Sequence, residues 1–289
     1  MQRNNLSLRR RTNLTTLTDE VLVDRAVSFM RFLQEHNPTM NLNKTVLMDE
    51  TAIYFEDPRN QTIDEIGARH VVLRSTGFAS MRITAALAVT ASGKKLPPCL
   101  IWKRKTRGPI ERLGGCYVSF QPRAWVDQEL LLQWLDWHFP IATQSEGQWA
   151  VWDSMRAHIG KIVKQRCEDK LIKMAVIPGG LTPYLQAGDV GIFKSFKDHM
   201  AVLIDEWKRS DQVAYTRGGN PKPPSIETVV SWVTDSVAPG SRQHDVYGAQ
   251  FRQAWSAASL DDQAADSSGA NGDEVDELLE PFDEVWIED

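Results

Sequence analysis

Residues 148–177, QWAVWDSMRAHIGKIVKQRCEDKLIKMAVI, carry the reading that decides the fold. Gln148–Asp153 is a short apolar run ending in an acid and reads as a strand. Ile159–Lys170 reads as a helix, and Ile172–Ile177 is a second strand-like run, stopped by Pro178-Gly179-Gly180. Working outward, Thr45–Phe55, His70–Arg74, Met81–Ala91 and Leu96–Trp102 read as earlier strands, set apart by turn residues such as Ser92-Gly93, and Val126–Phe139 reads as a helix. Val190–Lys208 and Ile226–Val237 read as later helices on either side of a Gly/Pro-rich loop over 218–224. Near the start, Leu17, Val21, Leu22, Ala26, Phe29, Phe32 and Leu33 fall at helical spacing, with Thr18 placed to cap the helix and Asn37-Pro38 to end it. Strands alternating with helices predict an α/β fold, a partly parallel mixed sheet covered by helices.

Composition narrows the class. The chain has 289 residues, 42% of them hydrophobic, with ten tryptophans, enough for a sizeable core. Its three cysteines, Cys99, Cys116 and Cys167, are odd in number and lack C-x-x-C spacing, so they suggest buried free thiols rather than disulfides or a zinc site. Apolar runs such as Ile83–Val89 are far shorter than the roughly 20 residues a bilayer requires, and no membrane association is expected. The net charge of −5 hides an asymmetry: twelve of the 38 acidic residues lie in 261–289, where there is no Lys or Arg. The remaining 260 residues carry 33 basic against 26 acidic side chains, a basic body of the kind that meets phosphates.

Three aspartates sit where such a fold can bring acids together. Asp49 follows the apolar run Thr45–Met48, Asp153 follows Trp149–Trp152, and Asp189 opens the amphipathic stretch beginning at Val190. Two adjacent strand ends would hold the first two side by side. Oxygen-only sites with water positions to spare suit Mg²⁺ or Mn²⁺, and a pair of such ions serves phosphoryl transfer. Each Asp taken alone is equally a turn or cap residue.

The segments LSLRRRT (6–12), MDETAIYF (48–55), LPPCLIWK (96–103), WDSMRAH (152–158) and IPGGLTPYLQAGDVGIFKSFK (177–197) occur in that order. In combination they resemble the DDE superfamily endonuclease domain of pogo/mariner-type transposases, the group that includes Tigger, Jerky and centromere protein B. The resemblance implies an RNase H-like mixed sheet flanked by helices, with Asp49, Asp153 and Asp189 as metal ligands for Mg²⁺ or Mn²⁺. It also implies DNA as partner, nicking by water attack followed by attack of a freed 3′-hydroxyl, residence in the nucleus, and a possible homodimer. It divides the chain into a basic arm and helix over 1–44, the RNase H-like domain over 45–258, and an acidic, disordered tail over 259–289. Residues 6–12 match the segment that follows the helix-turn-helix region in full-length relatives, so the chain reads as the catalytic half of a transposase. Ser154, where the family usually has Asn, and Ala187-Gly188, where Pro-Leu is common, depart from the pattern. The alternative is a domesticated DNA or chromatin scaffold that keeps the fold without the chemistry.

Other residues have candidate roles around this site. His158, five positions after Asp153, is placed either to meet a phosphate or attacking water or to cap the following helix. Glu50 falls on the opposite side of the strand from Asp49, for a hydrogen bond or salt bridge beneath the site. Lys103, Arg104, Lys105 and Arg107, with Lys94 and Lys95 nearby, form a basic loop that supplies backbone phosphate contacts or is simply solvated. Arg156, Lys161 with Lys164, and Lys194 with Lys197 are further candidates for DNA contact, as is the arm Arg9–Arg11.

Overall fold

The computed structural model describes residues 17–56, 77–140, 146–186 and 188–237. The expected strand His70–Arg74, the arm Arg9–Arg11 and the acidic tail lie outside these residues. The centre of the sheet is a long antiparallel pair, β1 (Thr45–Tyr54) and β2 (Arg82–Thr90), in continuous register from Val46 opposite Thr90 to Tyr54 opposite Arg82. On one side β2 pairs antiparallel with β3 (Cys99–Lys103), which runs parallel to β5 (Cys116–Gln121), with β4 (Glu111–Leu113) at that edge. On the other side β1 pairs parallel with β6 (Gln148–Asp153), and β6 parallel with β7 (Ile172–Ile177). The seven strands are ordered β4-β5-β3-β2-β1-β6-β7, the mixed sheet predicted.

Both faces are covered, which explains why β2, RITAALAVT, reads as an almost unbroken apolar run instead of alternating. One face meets α2 (Gln128–His138) and α4 (Lys161–Asp169), which close over Val46, Met48, Ala86, Ile101, Ala150 and Trp152. Leu131, Trp134 and Leu135 of α2 are all buried there, each side chain stabilising the fold by about 1.5–3 kcal/mol. The other face meets α6 (Phe193–Arg209) and α7 (Ile226–Val237) over β1, β2, β3 and β5. Over the β6–β7 end, α1 (Asp19–His36) sets Phe29 and Leu33 against Trp149, Val151, Ala175 and Ile177. Thr18 caps α1 as expected, its hydroxyl accepting from the Val21 N–H at 3.5 Å. All three cysteines are buried and free.

β4 and β5 were not legible as strands. The three residues of β4 are too few to show a period, and the turn that joins it to β5 depends on Gly114 and Gly115 at φ 52° and 90°. The strand expected over Thr45–Phe55 is β1, Thr45–Tyr54, so Asp49 lies within it and not at its end, and β6 pairs with it only from Thr45 to Leu47. Past Leu47, β1 keeps β2 on one side, and this parting of β1 and β6 positions the acids.

Candidate active site

The β1–β6 register runs from Thr45 opposite Trp149 to Leu47 opposite Val151 and stops there, with Asp49 and Asp153 each two positions past its end. The two carboxylates thus leave neighbouring parallel strands at one level, Asp153 from the last residue of β6. The third acid arrives by a different route. After β7 the chain turns through Pro178–Gly180, where Arg25 of α1 donates to the Gly179 carbonyl at 2.9 Å, then through the short helix α5 (Thr182–Leu185) into one wide turn, Gly188–Ile192, that opens α6. Asp189 lies in that wide turn, so the regular helix begins at Phe193 and not at Val190 as the sequence suggested. Gly188 brings this turn against β1: a methyl group there would lie 2.9 Å from Asp49 Oδ2 and 2.7 Å from the Phe193 ring. The glycine that departs from the family pattern is therefore in direct contact with the first acid.

Electrostatics tie the three acids together. Burial, the Glu50 charge and the charges of Asp189 and Asp153 push the Asp49 carboxyl up to about 8, against a smaller opposing effect of the Glu50 N–H that it accepts at 2.7 Å. Asp189 is also raised: partial burial raises it, Lys197 pulls it back, and Asp153 adds to the rise. Asp153 goes the other way. Burial raises it, but the hydrogen bond and charge of His158 and the Met155 N–H hold it below the ordinary carboxylate range.

His158, from the short helix α3 (Arg156–Ile159), is fully buried. Its Nδ1 stands 2.6 Å from Asp153 Oδ1 and its Nε2 3.2 Å from Glu50 Oε1, while its ring stacks on Trp152 at 5.4 Å. Burial alone would lower its pKa; the hydrogen bonds and charges of the two carboxylates outweigh this and push it up to about 10. Both ring nitrogens thus face carboxylates, and in this arrangement neither is turned toward a phosphate or water. His158 is a positioning residue beneath Asp153. Glu50 lies across the strand from Asp49, as alternation predicted, and serves as the second arm of that clamp.

The basic candidates separate. Lys103, Arg104 and Lys105 are exposed at the end of β3, with Arg104 over the Phe120 ring at 5.0 Å. Arg107 is committed elsewhere: it is ion-paired with Asp127 and Glu129 at the start of α2, partners invisible from its own loop. Lys94 and Lys95 lie at the opposite end of β3 from this cluster, and Lys95 faces the cavity of about 50 Å³ that Asp49, Gln186, Gly188 and Phe193 also line. Arg156, Lys161, Lys164, Lys194 and Lys197 are exposed. Lys197 is the one whose charge reaches the acids, and its ammonium lies 5.6 Å from the Phe193 ring. Gln186, buried and with neither amide atom hydrogen-bonded among the described residues, is a polar neighbour of the site that the sequence reading passed over.

The donor chemistry suits a hard divalent cation. Asp153 Oδ1 is taken by His158 and Met155, and Asp49 Oδ1 by an N–H, which leaves one oxygen of each carboxylate without a hydrogen-bond partner among the described residues. No Lys or Arg among the described residues forms a salt bridge with any of the three acids. Among the described residues, no three His, Cys, Asp or Glu side chains stand close enough together to hold a metal ion.

Two solved structures share this fold. The Mos1 strand transfer complex aligns with a TM-score of 0.53 at 15% identity, covering 89% of this chain and 65% of that one. The Mos1 mariner paired end complex with Mn aligns at 0.52 and 15%, covering 89% and 66%. The sheet and its flanking helices are thus RNase H-like. By sequence, a pogo transposable element with KRAB domain from Mus musculus is 27% identical over 268 residues, 91% of this chain and 44% of that protein. Its Homo sapiens counterpart is 28% identical over 238 residues, 81% and 39% respectively. The chain spans less than half the length of these relatives. The family model described as DDE superfamily endonuclease matches residues 80–236, more than half of the chain, and the chain belongs to that family.

Proposed function

We propose that this chain is a transposase-derived, divalent-metal-dependent DNA endonuclease and strand-transfer domain, with Asp49, Asp153 and Asp189 as its Mg²⁺ or Mn²⁺ ligands. The observation that carries the reading is the level placement of Asp49 and Asp153 on parting strands, with the Asp189 turn packed against Asp49 through Gly188. A divalent ion at such a site would activate water and neutralise charge on a phosphodiester. The chain's own contribution is positional. The sheet fixes two carboxylates on rigid elements, and the His158–Glu50 pair holds one oxygen of Asp153 so that the other is presented in one orientation. Crowding three acids disfavours the metal-free site, and binding a cation relieves that cost. Support for DNA as substrate comes from the likeness to the Mos1 strand transfer complex and from the exposed basic end of β3. Nuclear residence follows from that substrate.

Incubating the purified chain with labelled duplex and pre-nicked DNA, with Mg²⁺ or Mn²⁺, tests the reading against an Asp153→Asn variant. Metal-dependent cleavage or strand transfer that the variant lacks is the expected result. DNA binding without cleavage by either protein would instead favour a scaffold that has kept the fold and lost the chemistry.

A further inference from the structure

At the far end of β1 from the β6 pairing, one row of residues crosses four strands on a single face, with Tyr54 opposite Arg82, Lys103 opposite Gln121, and Arg82 and Lys103 one step past the end of the β2–β3 pairing. Arg82 occupies the centre of this row, between two exposed rings. Its guanidinium carbon is 5.8 Å from the Tyr54 ring and 6.0 Å from the Trp125 ring, and the two rings are 43% and 55% exposed. Its Nε is buried with no hydrogen-bond partner, and among the described residues no carboxylate stands within salt-bridge distance of it.

The turn that presents Trp125 is held under strain. Ala124 is buried at φ 53°, a left-handed conformation that costs a non-glycine residue energy and persists only where surroundings over-determine it. They do so here. Gln121 Oε1 accepts the N–H groups of Arg123 at 2.7 Å and Trp125 at 3.1 Å, and Thr84 donates its hydroxyl to the Ala124 carbonyl at 2.6 Å. The product of this bracing is a large indole kept in water beside a guanidinium with no carboxylate partner among the described residues. Burial of that indole would be the ordinary outcome for a Trp, so its display needs a reason.

We propose that Tyr54, Arg82 and Trp125 form a stacking platform for an unpaired nucleobase of single-stranded DNA, with Lys103 and Arg123 beside it for the flanking phosphates. The proposal rests on the DNA-acting reading above and specifies which form of DNA the protein holds away from its acids. Aromatic faces and a planar guanidinium accept any base, and the surrounding charge is basic. Tyr54 is five residues along β1 from Asp49, roughly 17 Å of extended chain, or about five base steps of duplex. Tyr54 shares the strand face of Glu50, so the platform opens on the side of the sheet away from Asp49 and would hold DNA apart from the acids.

Fluorescence anisotropy of labelled oligo-dT and of a duplex, at one fixed salt concentration, tests this on the full chain. Trp125→Ala should weaken oligo-dT binding about 5- to 100-fold and leave duplex affinity and metal-dependent nicking unchanged. Arg82→Lys, which keeps the charge and loses the planar face, should also weaken oligo-dT binding, and Trp125→Phe should restore part of it. Should Trp125→Ala unfold, Tyr54→Ser reads the same platform from its other side. Oligo-dT binding equal to wild type in these variants, or full binding by Arg82→Lys, would overturn the platform while leaving the nuclease reading intact. Equal losses for single strand and duplex would also overturn it in favour of a simple phosphate contact. A chain that binds no DNA in any form would sink both.

Discussion

His158 lies beneath Asp153 with Nδ1 2.6 Å from Oδ1, and its other nitrogen reaches Glu50 from a strand 108 residues earlier in the chain. One buried imidazolium therefore neutralises two carboxylates, and removing it leaves both acids close together without a counter-charge. His158→Ala is expected to lose roughly 3–5 kcal/mol of folding free energy, the usual cost of breaking a buried pair from one side. Urea unfolding at neutral pH measures it. A loss within about 0.5 kcal/mol, typical of an unimportant surface change, would mean the clamp contributes nothing.

The same geometry separates a positioning role from a chemical one. Glu50→Gln keeps a hydrogen-bond acceptor for His158 and does not touch the site's open oxygens. It should therefore retain metal-dependent cleavage at a reduced rate, while Asp153→Asn abolishes it. Single-turnover rates across a Mn²⁺ titration distinguish the two, since a positioning defect is partly recovered by more metal. Equal and complete loss in both variants would place Glu50 among the ligands.

Much of this site was legible in the sequence because its determinants are local. The apolar runs ending near Asp49 and Asp153 define strands, and the alternation of a strand sends Glu50 to the opposite face from Asp49. What the sequence could not show were pairings made across the fold. Arg107 read as a phosphate contact because its partners, Asp127 and Glu129, belong to the start of α2. The strand order brings Tyr54, Arg82 and Trp125 together, and no spacing between positions 54, 82 and 125 announces it. The wide turn at Gly188–Ile192 was hidden for another reason, since its residues continue the amphipathic pattern of α6 and only the backbone departs from it.

Asp49 should cost stability when no metal is present. Its carboxyl is buried and crowded by Glu50, Asp189 and Asp153, which raise it to about 8. Asp49→Asn removes that repulsion and is expected to stabilise the metal-free fold by about 1 kcal/mol, in the range of other relieved functional-site strains. It should at the same time abolish cleavage and the stabilisation expected of the wild type with Mn²⁺, about 2.7 kcal/mol at a hundredfold excess over Kd. Thermal melts of both proteins with and without Mn²⁺ decide this. A destabilised Asp49→Asn would show that the carboxylate is held by favourable contacts instead of merely tolerated.

A pH effect is expected away from the site. Lys170 is buried, donating to the Phe139 carbonyl at 2.7 Å and lying 3.2 Å from Asp136, which Arg166 also contacts at 2.5 Å. Burial raises the Asp136 carboxyl, but the hydrogen bonds and charges of Arg166 and Lys170 hold it below its ordinary value. A depressed carboxylate contributes stability above its unfolded pKa and loses it as pH falls through the folded one. Asp136→Asn should therefore be less stable than wild type at pH 7, by about 1 kcal/mol for a half-exposed pair, and the gap should close as the solution is acidified well below pH 4. Urea midpoints at the two extremes test the sign, and a gap that widens in acid would contradict it.

Gly188→Ala tests whether the third acid is placed by the wide turn. A methyl group at 188 would stand 2.7 Å from the Phe193 ring and 2.9 Å from Asp49 Oδ2, closer than side-chain carbons approach such atoms. The ring is part of the core face under α6, so it has little freedom to withdraw, and the turn carrying Asp189 must shift instead. Overpacking of this kind costs about 1–3 kcal/mol, which the fold as a whole should survive. The expected outcome is a folded protein with a modestly lower Tm, a weaker Mn²⁺-induced rise in Tm, and cleavage reduced far more than stability. Melting with and without Mn²⁺, alongside single-turnover cleavage, separates the effects. Wild-type cleavage by a folded Gly188→Ala would mean that Asp189 reaches the site without this close approach, and that the turn's packing on Asp49 plays no part in assembling it.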